Sequence, residues 1–469
     1  MPATPPCSWP TAKRRGGNSA GSRASRTLEP SWNIRGGWEE EKHGTKGQNA
    51  MRDIKRLLGN MASLFTLQGA NYLLPLVTLP YLVRVLGTEK FGLIAFAQAF
   101  IQYFVIITDY GFNLSATRDV AINRDDPAKL GEIIVSIMSI KLFLFVAGLV
   151  FLLLTMTLTS FGEHWKLYLI IYITVLGNAI FPVWLIQGLE FMKQLAWISI
   201  LARAITTIAI FIFVHNPADY LIAATIQSTS LVIAAVPGWM LLIMSRRFLL
   251  TRTTVSDIKG YLYSGWHVFL STVAANIYAN SNIFVLGLVS GPIAVGYFSA
   301  ANKIAQAVQG LFLPISQTIY PHISGLVEKS QEDAISFIRK VLRYVGVVSL
   351  VVSSVLFWEA ELVVNTVLGA QYGSSVIILK WLAFLPFLIT VNNMHGSQTM
   401  LTFKMNKMFS KIVMVSALVN IVLVIPLTNM FSGEGAAMSM LFTELFLLLT
   451  MSIVLYRRGI NLYFRPVKA

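Results

Sequence analysis

Apolar runs of about 20 residues recur from residue 62 to residue 456, separated by short polar segments. At a rise of 1.5 Å per residue, each run can cross a hydrocarbon layer roughly 30 Å thick. The pattern predicts helices over roughly 62–84, 91–110, 132–157, 165–187, 194–214 and 219–244. A second set follows over roughly 262–289, 293–317, 340–363, 375–395, 408–427 and 435–456. Between the second and third helices, FNLSATRDVAINRDDPAKLGE (112–132) mixes charges and reads as a short interfacial helix; the charged segment at roughly 320–338 is its counterpart. The expected fold class is an all-α integral membrane protein of about twelve transmembrane helices.

Composition agrees. Of 469 residues, 55% are hydrophobic and 13% charged, with a mean hydropathy of +0.64, too little charge to cover a set of soluble cores. The net charge of +15 sits in short segments between apolar runs, so no nucleic-acid partner is expected. Cys7 is the sole cysteine, which excludes an intrachain disulfide framework and a cysteine-based zinc cluster. HExxH, P-loop, GxSxG and helix-opening GxGxxG motifs are absent, so no enzyme, metal or cofactor is expected. Residues 1–50 hold Pro, Gly, Ser and Arg without an apolar run. They read as a disordered N-terminal extension, or as a start assigned too early, with Met51 as the natural beginning.

The charges also orient the bundle. With a cytoplasmic N-terminus, 22 Lys and Arg from Met51 onward fall in the inner segments and only two, Lys90 and Lys166, in the outer ones. By the positive-inside rule both termini are expected to be cytoplasmic. Outer loops are short, and no segment after residue 51 leaves room for a soluble catalytic domain.

A shift of 204 residues lays LGTEKFGLIAFAQ (86–98) on SGPIAVGYFSAAN (290–302), pairing Gly87 with Gly291, Gly92 with Gly296, Gln98 with Asn302 and Gln102 with Gln306. Helices six and twelve both end in paired arginines, Arg246-Arg247 and Arg457-Arg458. Two six-helix lobes, 51–259 and 260–469, would then be related by an axis along the membrane normal, an arrangement found in transporters.

Polar residues inside membrane helices seek another helix, a cavity or the headgroups. Gln98, Gln102 and Asp109 lie near one face of helix two, and Asn302, Gln306 and Gln309 share a stripe on helix eight. Gln68 and Asn71 add to helix one, and His267, Asn276, Asn280 and Asn282 to helix seven. Interhelical hydrogen bonding accounts for any one of them; a stripe repeated in both halves favours a shared wet cavity. Lys141, Arg203 and Lys303 lie near mid-membrane, with Glu444 comparably deep. An unpaired charge there costs at least about 2.5–3.5 kcal/mol, so substrate contact, structural pairing and snorkelling all stay open for these cations. Three cations against one anion suit an anionic substrate. Arg84, Asp109 and Lys380 sit nearer helix ends. Pro75, Pro80, Pro182, Pro237, Pro314, Pro386 and Pro426 fall within or at the ends of helices, where each can act as a static kink or as a hinge.

LPYLVRVLG (79–87), Phe91-Gly92, DYGFNLSATR (109–118) and GYFSAANKI (296–304) resemble the O-antigen flippases of the polysaccharide transporter family, within the group of multidrug-exporter-like and lipid-flippase proteins. The resemblance runs from about Met51 to the C-terminus, with its distinctive motif in the first two helices and their loop. It implies two six-helix lobes around a cavity opening alternately to either side of the bacterial inner membrane. The implied cargo is an O-antigen or related oligosaccharide on undecaprenyl pyrophosphate, moved from the cytoplasmic to the periplasmic leaflet. A polysaccharide polymerase and a chain-length regulator are implied partners beside the membrane lipids. Arg84, Asp109 and Arg118 are family-motif positions, and inward proton flow makes Asp109 and Glu444 coupling candidates. The basic cavity expected from Lys141, Arg203 and Lys303, with Gln98, Gln102, Asn302 and Gln306, would neutralise pyrophosphate and accommodate sugars. A multidrug or cation antiporter of the same fold is the alternative, and a polysaccharide polymerase or ligase a more distant one.

Overall fold

The computed structural model describes residues 76–463 apart from 159 and 250. The expected extension at 1–50, the first part of helix one with Gln68, Gly69, Asn71 and Pro75, and the side chain of His267 lie outside the described residues. Everything described belongs to one compact unit, and within it helices run without a β-strand.

Nine helical stretches among the described residues are long and apolar enough to cross a membrane. Three of them must fold back. A 56-residue helix would be about 84 Å long, far more than a bilayer. The reversals are single residues with positive φ: Gly87 (71°), Gly291 (79°) and Ser432 (52°). Around Ser432 the chain is so tight that a Cβ built on Gly435 would lie 1.9 Å from the Leu427 carbonyl oxygen. With these turns the nine stretches are consistent with twelve crossings.

In chain order the helices are α1 (76–86), α2 (88–109), α3 (Phe112–Ile122), α4 (Pro127–Leu158), α5 (Trp165–Ile180), α6 (Val183–Gly188), α7 (Met192–Phe213) and α8 (Tyr220–Ser245). The second half holds α9 (255–290), α10 (292–310), α11 (Leu313–Lys329), α12 (Gln331–Trp358), α13 (Ala360–Val367), α14 (Ser375–Leu382), α15 (Leu385–His395), α16 (406–431) and α17 (433–457). Two expected helices are broken. The run 165–187 divides at Phe181, whose extended backbone (ψ 112°) is what a residue before proline adopts. The run 375–395 divides between α14 and α15, just before Pro386, and continues beyond His395 as a π-helical turn, Gly396–Leu401. The interfacial helix is the 11-residue α3, shorter than expected because Pro127 starts α4.

Burial follows the logic of a lipid solvent. Along α4, Leu142, Phe143, Val146, Val150, Phe151 and Leu154 are exposed, while Ser136 and Lys141 are buried. Apolar side chains face outward because lipid welcomes them; polar ones turn inward because only protein can satisfy them.

The two halves meet at the end of the bundle where the loops carry few charges. There Phe284 of α9 packs among Phe96, Phe100 and Tyr103 of α2, at centroid distances of 5.9, 5.8 and 5.4 Å. Arg84 donates to the Thr366 carbonyl at the end of α13, and Gln371 Nε2 donates to the Val83 carbonyl at 3.0 Å. At the opposite, basic end the first turns of α9 lie on the N-terminal half: Tyr110 stacks on Phe269 at 4.6 Å and Tyr261 donates to Glu132 at 3.3 Å. Its later residues Ser281 and Asn282 bond to Asn420 of α16. By contact, then, α9 belongs to both halves.

Candidate functional site

A cavity of about 380 Å³ lies among α1, α2, α5, α7, α8 and α10. Its polar lining is Thr78, Gln98, Gln102, Thr174, Thr206, Thr207, Gln227 and Ser230, and its two charged lining residues are Arg203 and Lys303. No carboxylate lines it among the described residues. The sequence explains the positions. Gln98 and Gln102 are one turn apart on α2 and so share a face; Arg203, Thr206 and Thr207 do the same on α7. Gln98 Nε2 donates to Gln227 Oε1 at 3.0 Å, joining α2 to α8 across the wall. Lys303 is the contribution of the C-terminal half; its side chain is exposed to the opening. A site with two fixed cations and a rim of amides and hydroxyls can hold an anion attached to a hydrogen-bonding body.

The structure separates the remaining candidates from this cavity. Lys141 is 1% exposed, and its Nζ donates to Asp109 Oδ1 at 3.0 Å, with the Asn178 carbonyl at 3.5 Å. It belongs to a buried ion pair between α2 and α4 and does not line the cavity. Asn302 is buried and Gln306 exposed; neither lines it, although Lys303 between them does. Glu444 is 6% exposed on α17, its carboxylate accepting from Asn392 Nδ2 at 2.6 Å. Arg84 spans the halves at the charge-poor end, and Arg118 is exposed on α3. The stretch Asp109–Phe112 is a turn with four tasks. Asp109 holds Lys141, Tyr110 covers Phe269, Tyr110 and Gly111 reverse the chain at φ of 49° and 75°, and Phe112 is buried.

Thr78, Thr174, Thr206, Thr207, Gln227 and Ser230 are cavity residues that sequence reasoning missed. A signal existed: TIQSTS (225–230) is the most polar run inside the sixth helix, and Gln227 lies three residues before Ser230 on one face.

Comparison with known proteins agrees with this architecture. The family described as Polysaccharide biosynthesis protein matches residues 57–327. A protein of Escherichia coli (strain K12) that carries the name "Putative O-antigen transporter" is 37% identical over 386 residues, which is 82% of this chain and 93% of that protein. Among solved structures, the lipid II flippase MurJ in an inward closed conformation superposes with a TM-score of 0.66 at 12% identity, covering 84% of this chain and 87% of MurJ. An inward-facing multidrug resistance MATE family transporter of the MOP superfamily gives 0.63 at 14%, covering 82% of this chain and 93% of that one. At these identities the solved structures speak for the fold: a multi-pass helical membrane protein of the MATE and MurJ type.

Proposed function

The chain belongs to the polysaccharide biosynthesis protein family, and from that premise we propose that it is a flippase for lipid-linked oligosaccharides, a transporter and not an enzyme. The finer reading is that the cargo is an O-antigen or related unit on undecaprenyl pyrophosphate, carried from the cytoplasmic to the periplasmic leaflet of the inner membrane. Both termini would lie in the cytoplasm, with the charge-poor end facing the periplasm, as the positive-inside asymmetry suggests. The lobes would divide near residues 259 and 260 and alternate in opening the cavity to either side.

The observation that carries this reading is the charge character of the cavity. Arg203 and Lys303 suit a phosphate, which carries its charge on oxygens that accept from guanidinium and ammonium donors. Gln98, Gln102, Thr206, Thr207, Gln227 and Ser230 suit sugar hydroxyls, which both donate and accept. A cation antiporter of this fold would need a carboxylate in the cavity, and the described lining has none. Lys141 and Asp109 serve as a structural pair in this reading. Protonation of Asp109 or of Glu444, both buried, is a further proposal for coupling transport to proton flow.

The test is genetic and chemical. Deleting the gene should leave complete lipid-linked repeat units on the cytoplasmic leaflet, inaccessible to a periplasmic glycosidase. A plasmid copy should restore accessible units and surface polysaccharide, and a copy carrying both Arg203→Ala and Lys303→Ala should not. Surface display of single units in the deletion strain would point to a polymerase and sink the proposal.

A further inference from the structure

At the charge-poor end one backbone contact occurs twice, once in each direction. A Cβ built on Gly92 would lie 1.8 Å from the Pro292 carbonyl oxygen, and one built on Gly296 would lie 2.1 Å from the Thr88 carbonyl oxygen. Gly92 and Gly296 are 204 residues apart, and so are Thr88 and Pro292. Each carbonyl belongs to the residue just after a turn glycine, Gly87 or Gly291, and both turns have the same left-handed φ. The contact is therefore a reciprocal pair about the axis that relates the two halves: the opening turn of α2 rests on that of α10, backbone against backbone.

We infer that Gly92 and Gly296 are the positioning residues of transport, the pair that lets the two halves close at the charge-poor end. The inference rests on the flippase reading for its role in transport, but its geometry stands alone. Small residues let helix backbones approach in membranes, where packing substitutes for a hydrophobic driving force. Any side chain at either glycine meets a carbonyl oxygen and the backbone behind it, and backbone cannot rotate out of the way as a side-chain tip can. Closure would fail until the two turns separated by more than about 1 Å, since overpacked rigid contacts relax by displacement. The polar links across this end, Arg84 to Thr366 and Gln371 to Val83, are hydrogen bonds from long side chains that can follow such a movement, and the rings of Phe284, Phe96, Phe100 and Tyr103 beside them are side chains as well.

Reciprocity sharpens the expectation. One separation relieves both sites, so Gly92→Val and Gly296→Val should have the same effect, and the double variant should add nothing to either.

The experiment reads sidedness. In a Cys7→Ser background, Thr207→Cys places one thiol on the cavity wall. A membrane-impermeant maleimide is added to spheroplasts, where the charge-poor end faces outward, and separately to inverted vesicles. Each valine variant is expected to raise the labelling rate in spheroplasts about tenfold or more, and to lower it in inverted vesicles. Gly346→Ala, which meets nothing within 4 Å, should match the parent. Unchanged labelling in membrane-inserted Gly92→Val or Gly296→Val overturns the inference, as does a double variant whose effect is the product of the two singles. If the valine variants fail to insert, Gly92→Ala and Gly296→Ala carry the same comparison, because the first side-chain carbon already makes the clash. Parent protein labelled only in spheroplasts would mean that the cavity is not closed at the charge-poor end by the glycine pair, and likewise overturns the inference. Variants that label as expected, beside a wild-type copy with Thr207 intact that restores no polysaccharide to the deletion strain, would defeat the flippase reading and leave the glycine pair standing.

Discussion

In the N-terminal half, Gln98, Gln102, Thr206, Thr207 and Ser230 face an open cavity. In the C-terminal half, comparable side chains are bound to one another. Asn420 Oδ1 accepts from Ser281 Oγ at 3.0 Å and from Asn282 Nδ2 at 3.3 Å, while its own Nδ2 donates to Thr443 Oγ1 at 3.2 Å. Ser439 Oγ donates to Asn282 Oδ1 at 2.7 Å, and Gln398 Nε2 donates to Ser316 Oγ at 2.8 Å. One half turns its polar groups toward a cavity, even where Gln98 bonds to Gln227 and Thr206 to the Arg203 carbonyl, and the other buries them in bonds between helices. The lesson is that polar content inside a membrane bundle does not distinguish a site from a joint; access to a cavity does.

The same contrast separates the deep cations. Lys141 is held by Asp109, whereas Lys303 has no ion-pair partner among the described residues and projects into the cavity. The largest effect should come from breaking the joint. Asp109→Ala leaves a buried ammonium uncompensated and is expected to destabilise the protein by about 3–5 kcal/mol. Melting in detergent should show it, and the double variant Asp109→Leu with Lys141→Met should recover most of the loss. If Asp109→Ala melts like the parent but fails in transport, the pair works in the cycle and not in the fold.

Next in size is the cavity itself. Arg203→Ala and Lys303→Ala should each reduce surface polysaccharide about tenfold or more, since a charge-assisted hydrogen bond contributes roughly 1.5–3 kcal/mol. Protein abundance should hold for Lys303→Ala, and quantitative immunoblots alongside polysaccharide gels would check both halves of that statement. Asn420→Ala should do the reverse, lowering stability by about 1 kcal/mol with transport per inserted molecule unchanged. A transport defect in fully inserted Asn420→Ala would erase the distinction between the halves. The smallest effect is expected from Gln227→Ala. The Gln98–Gln227 bond is of the kind worth about 0.6 kcal/mol in membranes, so melting should barely move. Any change should instead appear as a shift in which repeat units are accepted, read by the composition of surface polysaccharide.

Much of this architecture was legible because the constraints of a bilayer act along the chain. Run length marked the spans, and loop charge marked the two ends. The 204-residue shift paired Gly87 with Gly291 and Gly92 with Gly296 before any contact was visible, and these four residues make the tight turns and the reciprocal contact. The same shift misled about Gln98 and Asn302. Equivalent in sequence, one lines the cavity and the other is buried away from it, because the cavity belongs mainly to one half. Breaks at Phe181 and before Pro386 were signalled by proline but hidden by continuous hydrophobicity. The polar face of α8 was overlooked because short hydroxyl side chains barely interrupt an apolar run.

Sequence by itself determined depth. Counting residues from a helix end locates a side chain across the membrane, since every residue adds a fixed rise. Lys141, Arg203, Lys303 and Glu444 were all set at mid-membrane in this way. What only the tertiary structure decided was azimuth, the direction each helix turns those residues once packed among its neighbours. Rotation of a helix about its axis depends on contacts with elements far away in the chain. For that reason Lys141 meets Asp109, Glu444 meets Asn392, and Arg203 and Lys303 meet across an open cavity.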